Sequence, residues 1–133
     1  MSRPNIVLIS ADQHRADCFG FQGRNIKTPH LDKLASEGTH FQNCITPTVV
    51  CQPARASILT GQLCRTHGVH DNGIDLDPKI GEKGFAGALA AAGYDTAYFG
   101  KAHFFWAPNF DQGLRQTRSA RDYFVFCSPE LVF

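Results

Sequence analysis

Residues 5–10 form a continuous apolar run, Asn-Ile-Val-Leu-Ile-Ser. A run without alternation predicts a strand covered on both faces in a parallel sheet. Strands of that kind present chemistry at their carboxyl ends, and Asp12 and Gln13 follow at once. The period then changes. Residues 28–38 predict a short helix, with Thr28 as N-cap, Pro29 at the first helical position, Leu31, Leu34 and Ala35 on one face and Gly38 as terminator. Residues 39–45 alternate polar and apolar, which predicts a second strand. Residues 47–50 connect to Cys51, and residues 53–60 predict a short helix that Gly61 ends. Gly68, Asn72-Gly73 and Asp77-Pro78 punctuate a long irregular stretch, of the sort that compact domains commonly use for function. Residues 81–92 predict a small-residue helix that turns Phe85, Leu89 and Ala92 toward a sheet; Gly93 closes it, and residues 94–99 return as a strand. Past Phe104 the pattern weakens, and only residues 123–126 read as another strand.

Strands and helices in alternation predict an α/β fold, a mostly parallel sheet flanked by helices. The length of 133 residues suits one domain, and 43% hydrophobic residues are enough for a core. Charge narrows the partners. With 13 Lys and Arg against 12 Asp and Glu, the chain has no electrostatic footprint for nucleic acid or for an anionic membrane surface. No apolar run approaches the roughly 20 residues of a membrane span, and the amino terminus leads into the first strand without a signal-peptide core. Cys18, Cys44, Cys51, Cys64 and Cys127 are odd in number and lack framework spacing, which fits a reducing compartment. The expected location is the cytoplasm.

The candidate chemistry centres on Cys51, Pro53 and Arg55, trailed by Leu59-Thr60-Gly61. A thiol just before a helix meets unpaired backbone N–H groups and the positive dipole end, with a guanidinium one turn on. An anion would sit well there. A cysteine phosphatase loop needs about five residues between Cys and Arg to wrap a phosphate; the shorter spacing here, with a proline that lacks an N–H, cannot build that cradle.

This Cys-x-Pro-x-Arg segment with its Leu-Thr-Gly tail resembles the sulfatase signature. Further stretches resemble that family in its order: residues 5–12, 28–38, the His67-Gly68-Val69 segment with Asn72, and residues 93–96 through Gly100-Lys101-Ala102-His103. The resemblance implies the amino-terminal part of an alkaline phosphatase-like catalytic domain, incomplete over residues 1–133. It implies that Cys51 is oxidised to formylglycine by a formylglycine-generating enzyme. Its hydrate would attack a small-molecule sulfate ester, the alcohol would leave, and sulfate would then be eliminated. Asp12, Gln13 and an oxygen from the modified Cys51 would hold a divalent cation, Ca²⁺ first, with Mg²⁺ or Mn²⁺ as alternatives. Arg55 would hold the nucleophile and offset its charge. Lys101 would bind a sulfate oxygen, Asn72 would contact the substrate side, and His103 would accept the proton that lets sulfate leave. Gln13 departs from the acidic pair commonest in the family and is similar to the Asp-Gln variant of choline-sulfatase-like and phosphonate monoester hydrolase-like members.

Other readings stay open at this level. The same nucleophile and cation would serve a phosphonate monoester or phosphodiester. A noncatalytic polypeptide is the rival of another class, since three oxygen donors fall short of the about six to eight that calcium takes. Cys64, His67 and His70 are permissible zinc ligands, and Asn72-Gly73 is equally a common turn. Phe104-Phe105-Trp106 reads as core, with pocket lining as the alternative. An incomplete sheet would leave edges on which two copies could pair as a homo-oligomer.

Overall fold

A computed structural model describes residues 3–99, 101–104 and, as backbone, 123–128. The elements are strand β1 (Ile6–Ser10), helices α1 (Pro29–Glu37), α2 (Cys51–Thr60), α3 (Cys64–His67), α4 (Pro78–Gly81) and α5 (Phe85–Ala91), then strands β2 (Asp95–Phe99) and β3 (Tyr123–Ser128). The chain divides into two compact units, residues 11–45 and the remainder.

In the larger unit the sheet has the order β1-β3-β2. Among the described residues the three strands do not form the mostly parallel sheet expected. β1 and β2 run in the same direction, but β3 lies between them antiparallel to both, with Leu8 opposite Val125 and Ala97 opposite Phe126. The apolar run of β1 is also only half covered: Val7 is 52% and Ile9 62% exposed, while Leu8 packs against the core. Among the described residues β1 has one ladder partner, β3, and one face packed on the core.

α2 is the most buried helix, hiding Gln52, Pro53, Arg55, Ala56, Ser57 and Leu59. Ala56 and Leu59 join Val69, Leu76, Ala86, Tyr98 and Phe104 in one core. The helix begins two residues earlier than the pattern predicted. Cys51 is therefore its first residue rather than the one before it, with Val50 as N-cap at extended φ and ψ. Pro53 is tolerated because the N–H it lacks has no intrahelical partner in a first turn. Gly61 closes α2 at φ 68°, as expected.

The stretch read as irregular contains α3 and α4, and the helix predicted over residues 81–92 is α5 alone, with Gly84 rather than Gly81 at its start. Gly84 has a packing reason. A Cβ there would stand 2.5 Å from the Leu59 carbonyl oxygen and 2.9 Å from that of Gly81, and backbone atoms cannot swing away. Gly84→Ala is expected to cost about 1–3 kcal/mol, read as a lower denaturant midpoint at unchanged slope.

In the smaller unit α1 starts at Pro29 and stops at Gly38 as predicted. Its cap differs: Thr28 Oγ1 donates to Asp32 Oδ1 at 2.6 Å and accepts from the Gly20 N–H at 2.8 Å, with no bond to the helix's own N–H groups. The strand predicted over residues 39–45 does not form. Gln42 and Asn43 turn the chain, and Phe41 and Ile45 stand 74% and 87% exposed. Alternation supplies two faces but not a ladder partner, and among the described residues no strand pairs with this segment.

Candidate active site

Five of the residues singled out from sequence belong to the larger unit. Cys51 opens α2, half-buried and outside any disulfide. Arg55, one turn on, is 4% exposed, and its Nη1 donates to the Lys101 carbonyl at 2.6 Å. The Tyr98 hydroxyl, from β2, donates to the same carbonyl at 2.6 Å. Sequence-distant α2 and the Lys101 loop are thus joined at the backbone. His103 lies two residues on, at φ 52°. A non-glycine residue in the left-handed region carries strain that the surroundings must hold in place, and such positions cluster at functional sites.

Asn72 acts on the helix. Its Oδ1 accepts the Gln52 N–H at 3.0 Å, capping an otherwise partnerless donor in the first turn of α2 from outside.

Asp12 and Gln13 belong to the smaller unit and follow β1. Gln13 is the other non-glycine residue with positive φ, at 56°. Nearby, Asp17 accepts from Arg15 Nε at 2.9 Å and Nη2 at 3.0 Å and from Arg24 Nε at 2.6 Å. The Arg15 hydrogen bond, with Arg24, holds the Asp17 carboxyl well below the usual carboxylate range. Phe104 is core, packed edge-on against Tyr98 with ring centres 6.1 Å apart; Phe105 and Trp106 lie outside the described residues.

Two features escaped the sequence reading. Gln52, the variable residue between Cys51 and Pro53, is 1% exposed and fully engaged. Its Oε1 accepts the Gly73 N–H at 2.7 Å, and its Nε2 donates to the Ile74 carbonyl at 2.8 Å and the Phe104 carbonyl at 3.3 Å. A long amide in a helix's first turn resembles any surface Gln until burial is known, so no sequence signal marks it.

The second is a buried pair. His67 Nδ1 accepts the Val69 N–H at 3.1 Å, which leaves the ring proton on Nε2, facing Ser57 Oγ at 2.9 Å. Both nitrogens are occupied, so the zinc reading of Cys64, His67 and His70 fails. No cluster of three metal-ligating His, Cys, Asp or Glu occurs among the described residues. The same geometry rules out a serine–histidine dyad, because the imidazole gives a proton to Ser57 rather than taking one.

Burial, and then the nearby His70, pushes the His67 pKa below its ordinary 6.5. The unfolded chain therefore takes up this proton first as pH falls, and stability drops from about pH 6.5 down to the folded-state value, below which it levels off. In that window the slope is bounded by about 1.4 kcal/mol per pH unit, the limit for one proton. Urea midpoints measured across it should flatten in His67→Gln.

Comparison with known proteins adds the family. The sulfatase family model matches residues 4–127. The ulvan-active sulfatase of Formosa agariphila is 46% identical over 103 residues, covering 77% of this chain and 20% of that protein. The multifunctional alkaline phosphatase superfamily protein PehA of Trinickia caryophylli is 42% identical, over 75% and 20%. The choline-sulfatase of Rhizobium meliloti is 37% identical, over 77% and 20%. The chain thus spans about one fifth of the length of the curated relatives it matches. No solved structure matches.

Proposed function

From the premise that the chain belongs to the sulfatase family, with its alkaline phosphatase-like α/β fold, we propose that it carries the nucleophile half of a hydrolase for sulfuric esters. The observation that carries this reading is the Arg55 bond to the Lys101 carbonyl, which brings the cysteine helix and the Lys-x-His loop together. A guanidinium one turn into a helix, with the loop that carries Lys101 bound to it, suits an anionic ester.

Cys51 is the residue that modification to formylglycine would act on; when installed, the aldehyde hydrate supplies the attacking oxygen. Asp12 and Gln13 offer hard oxygen donors, which fit a Ca²⁺- or Mg²⁺-type ion rather than a soft one. An ion of this type would supply polarisation of an ester oxygen and a lowered pKa for a bound hydroxyl. Lys101 binds a nonbridging oxygen and Arg55 fixes the nucleophile's orientation. His103, held at its unusual φ, takes the proton whose removal lets sulfate go. Phosphonate monoesters are the second reading, supported by Gln13 in place of a second acid. Cys18, Cys44, Cys51 and Cys64 stand outside any disulfide, which supports a reducing compartment such as the cytoplasm.

The test is the mass of the Cys51 peptide from protein coexpressed with a formylglycine-generating enzyme, followed by turnover of aryl sulfate beside aryl phosphonate. The expected outcome is the aldehyde at Cys51, faster sulfate turnover and loss of that activity on chelation by EDTA. An unmodified thiol, or turnover indifferent to chelation, would overturn the reading.

A further inference from the structure

Residues 101–104 are clamped at both ends. The Lys101 carbonyl receives Arg55 Nη1 and the Tyr98 hydroxyl, and the Phe104 carbonyl receives Gln52 Nε2 at 3.3 Å and the Leu76 N–H at 3.1 Å. His103, at φ 52°, lies between the clamps. One donor at each end comes from α2, and Gln52 and Arg55 stand three residues apart, on neighbouring positions of one face. The helix that begins at Cys51 thus grips the histidine loop by its backbone on either side.

We infer that Gln52 is a positioning residue, which sets Cys51 against the Lys101–His103 loop. Its amide does more than fill space. Oε1 and Nε2 also hold Gly73 and Ile74, the loop whose Asn72 caps α2. One side chain therefore fixes the helix start to two separate loops at once, with every polar atom of its amide engaged. A buried amide so satisfied specifies a single arrangement, because an apolar residue of the same length leaves the Gly73 N–H without its acceptor and two carbonyls short of a donor. Loss of Gln52 leaves the Phe104 end of the clamp to the Leu76 N–H alone and loosens the hold on the left-handed turn of the histidine loop. The role rests on the reading of Cys51 as nucleophile in an anion-binding pocket.

The test needs no hydrolase activity. In the untruncated chain made without the modifying enzyme, alkylation of Cys51 by anionic iodoacetate and by neutral iodoacetamide is followed by peptide mass. Exposed Cys44 in the same molecule serves as reference. The iodoacetate-to-iodoacetamide ratio at Cys51 should exceed that at Cys44 roughly tenfold. It should fall most of the way to the Cys44 value in Gln52→Met at retained helical signal. Gln52→Asn, which keeps the amide but shortens its reach, should lie between, and it decides the matter should Gln52→Met not fold. Exchange of the Gly73 amide proton should quicken in the same order. A wild-type ratio equal to that of Cys44, or one unchanged in both variants, would overturn the proposal. A ratio that responds as expected while the aldehyde form turns over no sulfate ester would sink the hydrolase reading and leave the positioning role in place.

Discussion

With His103 replaced by asparagine, aryl sulfate turnover by the aldehyde-bearing protein should fall by about 10²–10⁴, the share that a positioned general base supplies. Asparagine suits the test because it adopts the left-handed region readily, so the backbone at φ 52° is kept and only the imidazole is lost. The proton assigned to His103 moves when sulfate leaves, after the alcohol has gone. Rapid-quench measurement should therefore show about one equivalent of alcohol released at near-normal rate, then a stall, the burst signature of a blocked second half. Slow alcohol release from the first turnover onward would assign His103 to the first half instead. Unfolding midpoints measured in parallel separate loss of the imidazole's chemistry from any loss of fold, since the clamped carbonyls at Lys101 and Phe104 are kept.

What the sequence disclosed follows from how local each feature is. The helix from Pro29, its end before Gly38, the closing role of Gly61 and the strand over Asp95–Phe99 are set by residues within one or two turns of themselves. Proline at a first helical position and glycine past a last one act through their own backbone. The placement of Cys51 and Arg55 one turn apart on one helix was legible for a similar reason: four residues along a helix is a fixed spacing. The direction of the sheet was not. β3 reads as a strand, but its place between β1 and β2, antiparallel to both, depends on partners more than a hundred residues away from β1. The expected strand over residues 39–45 makes the same point from the other side, because its alternation is real but no partner strand pairs with it among the described residues. Phe41 and Ile45 stay exposed in a chain that spans about one fifth of its relatives' length.

The candidate site divides along that line too. Residue identity suggested Lys101 and His103, yet nothing in a sequence reports φ, and the left-handed turns at Gln13 and His103 emerge only in the fold. Both occur at positions singled out for chemistry, which is where strained backbone is expected to persist. Gln52 lay hidden because the signature leaves its position variable; its worth lies in burial and in partners 21 to 52 residues away.

Arg55→Lys should damage the site and the fold together, and the proportion tells the two apart. Lysine keeps the charge but replaces a planar fork with a single compact ammonium, which cannot donate to the Lys101 carbonyl and still orient the nucleophile one turn away. Stability should fall by about 1–3 kcal/mol, the cost of an under-satisfied buried carbonyl. Turnover should fall about 10²–10³-fold, as when one preorganised donor is taken from a site of developing charge. Tyr98→Phe is the control, because the Tyr98 hydroxyl donates to the same carbonyl at the same 2.6 Å but belongs to β2 and not to the nucleophile's helix. It should match much of the stability loss with little of the activity loss. If the two variants lost activity in equal measure, Arg55 would act only as a brace for the Lys101 loop. A larger activity loss in Arg55→Lys means that the remaining guanidinium donors work on the anion itself.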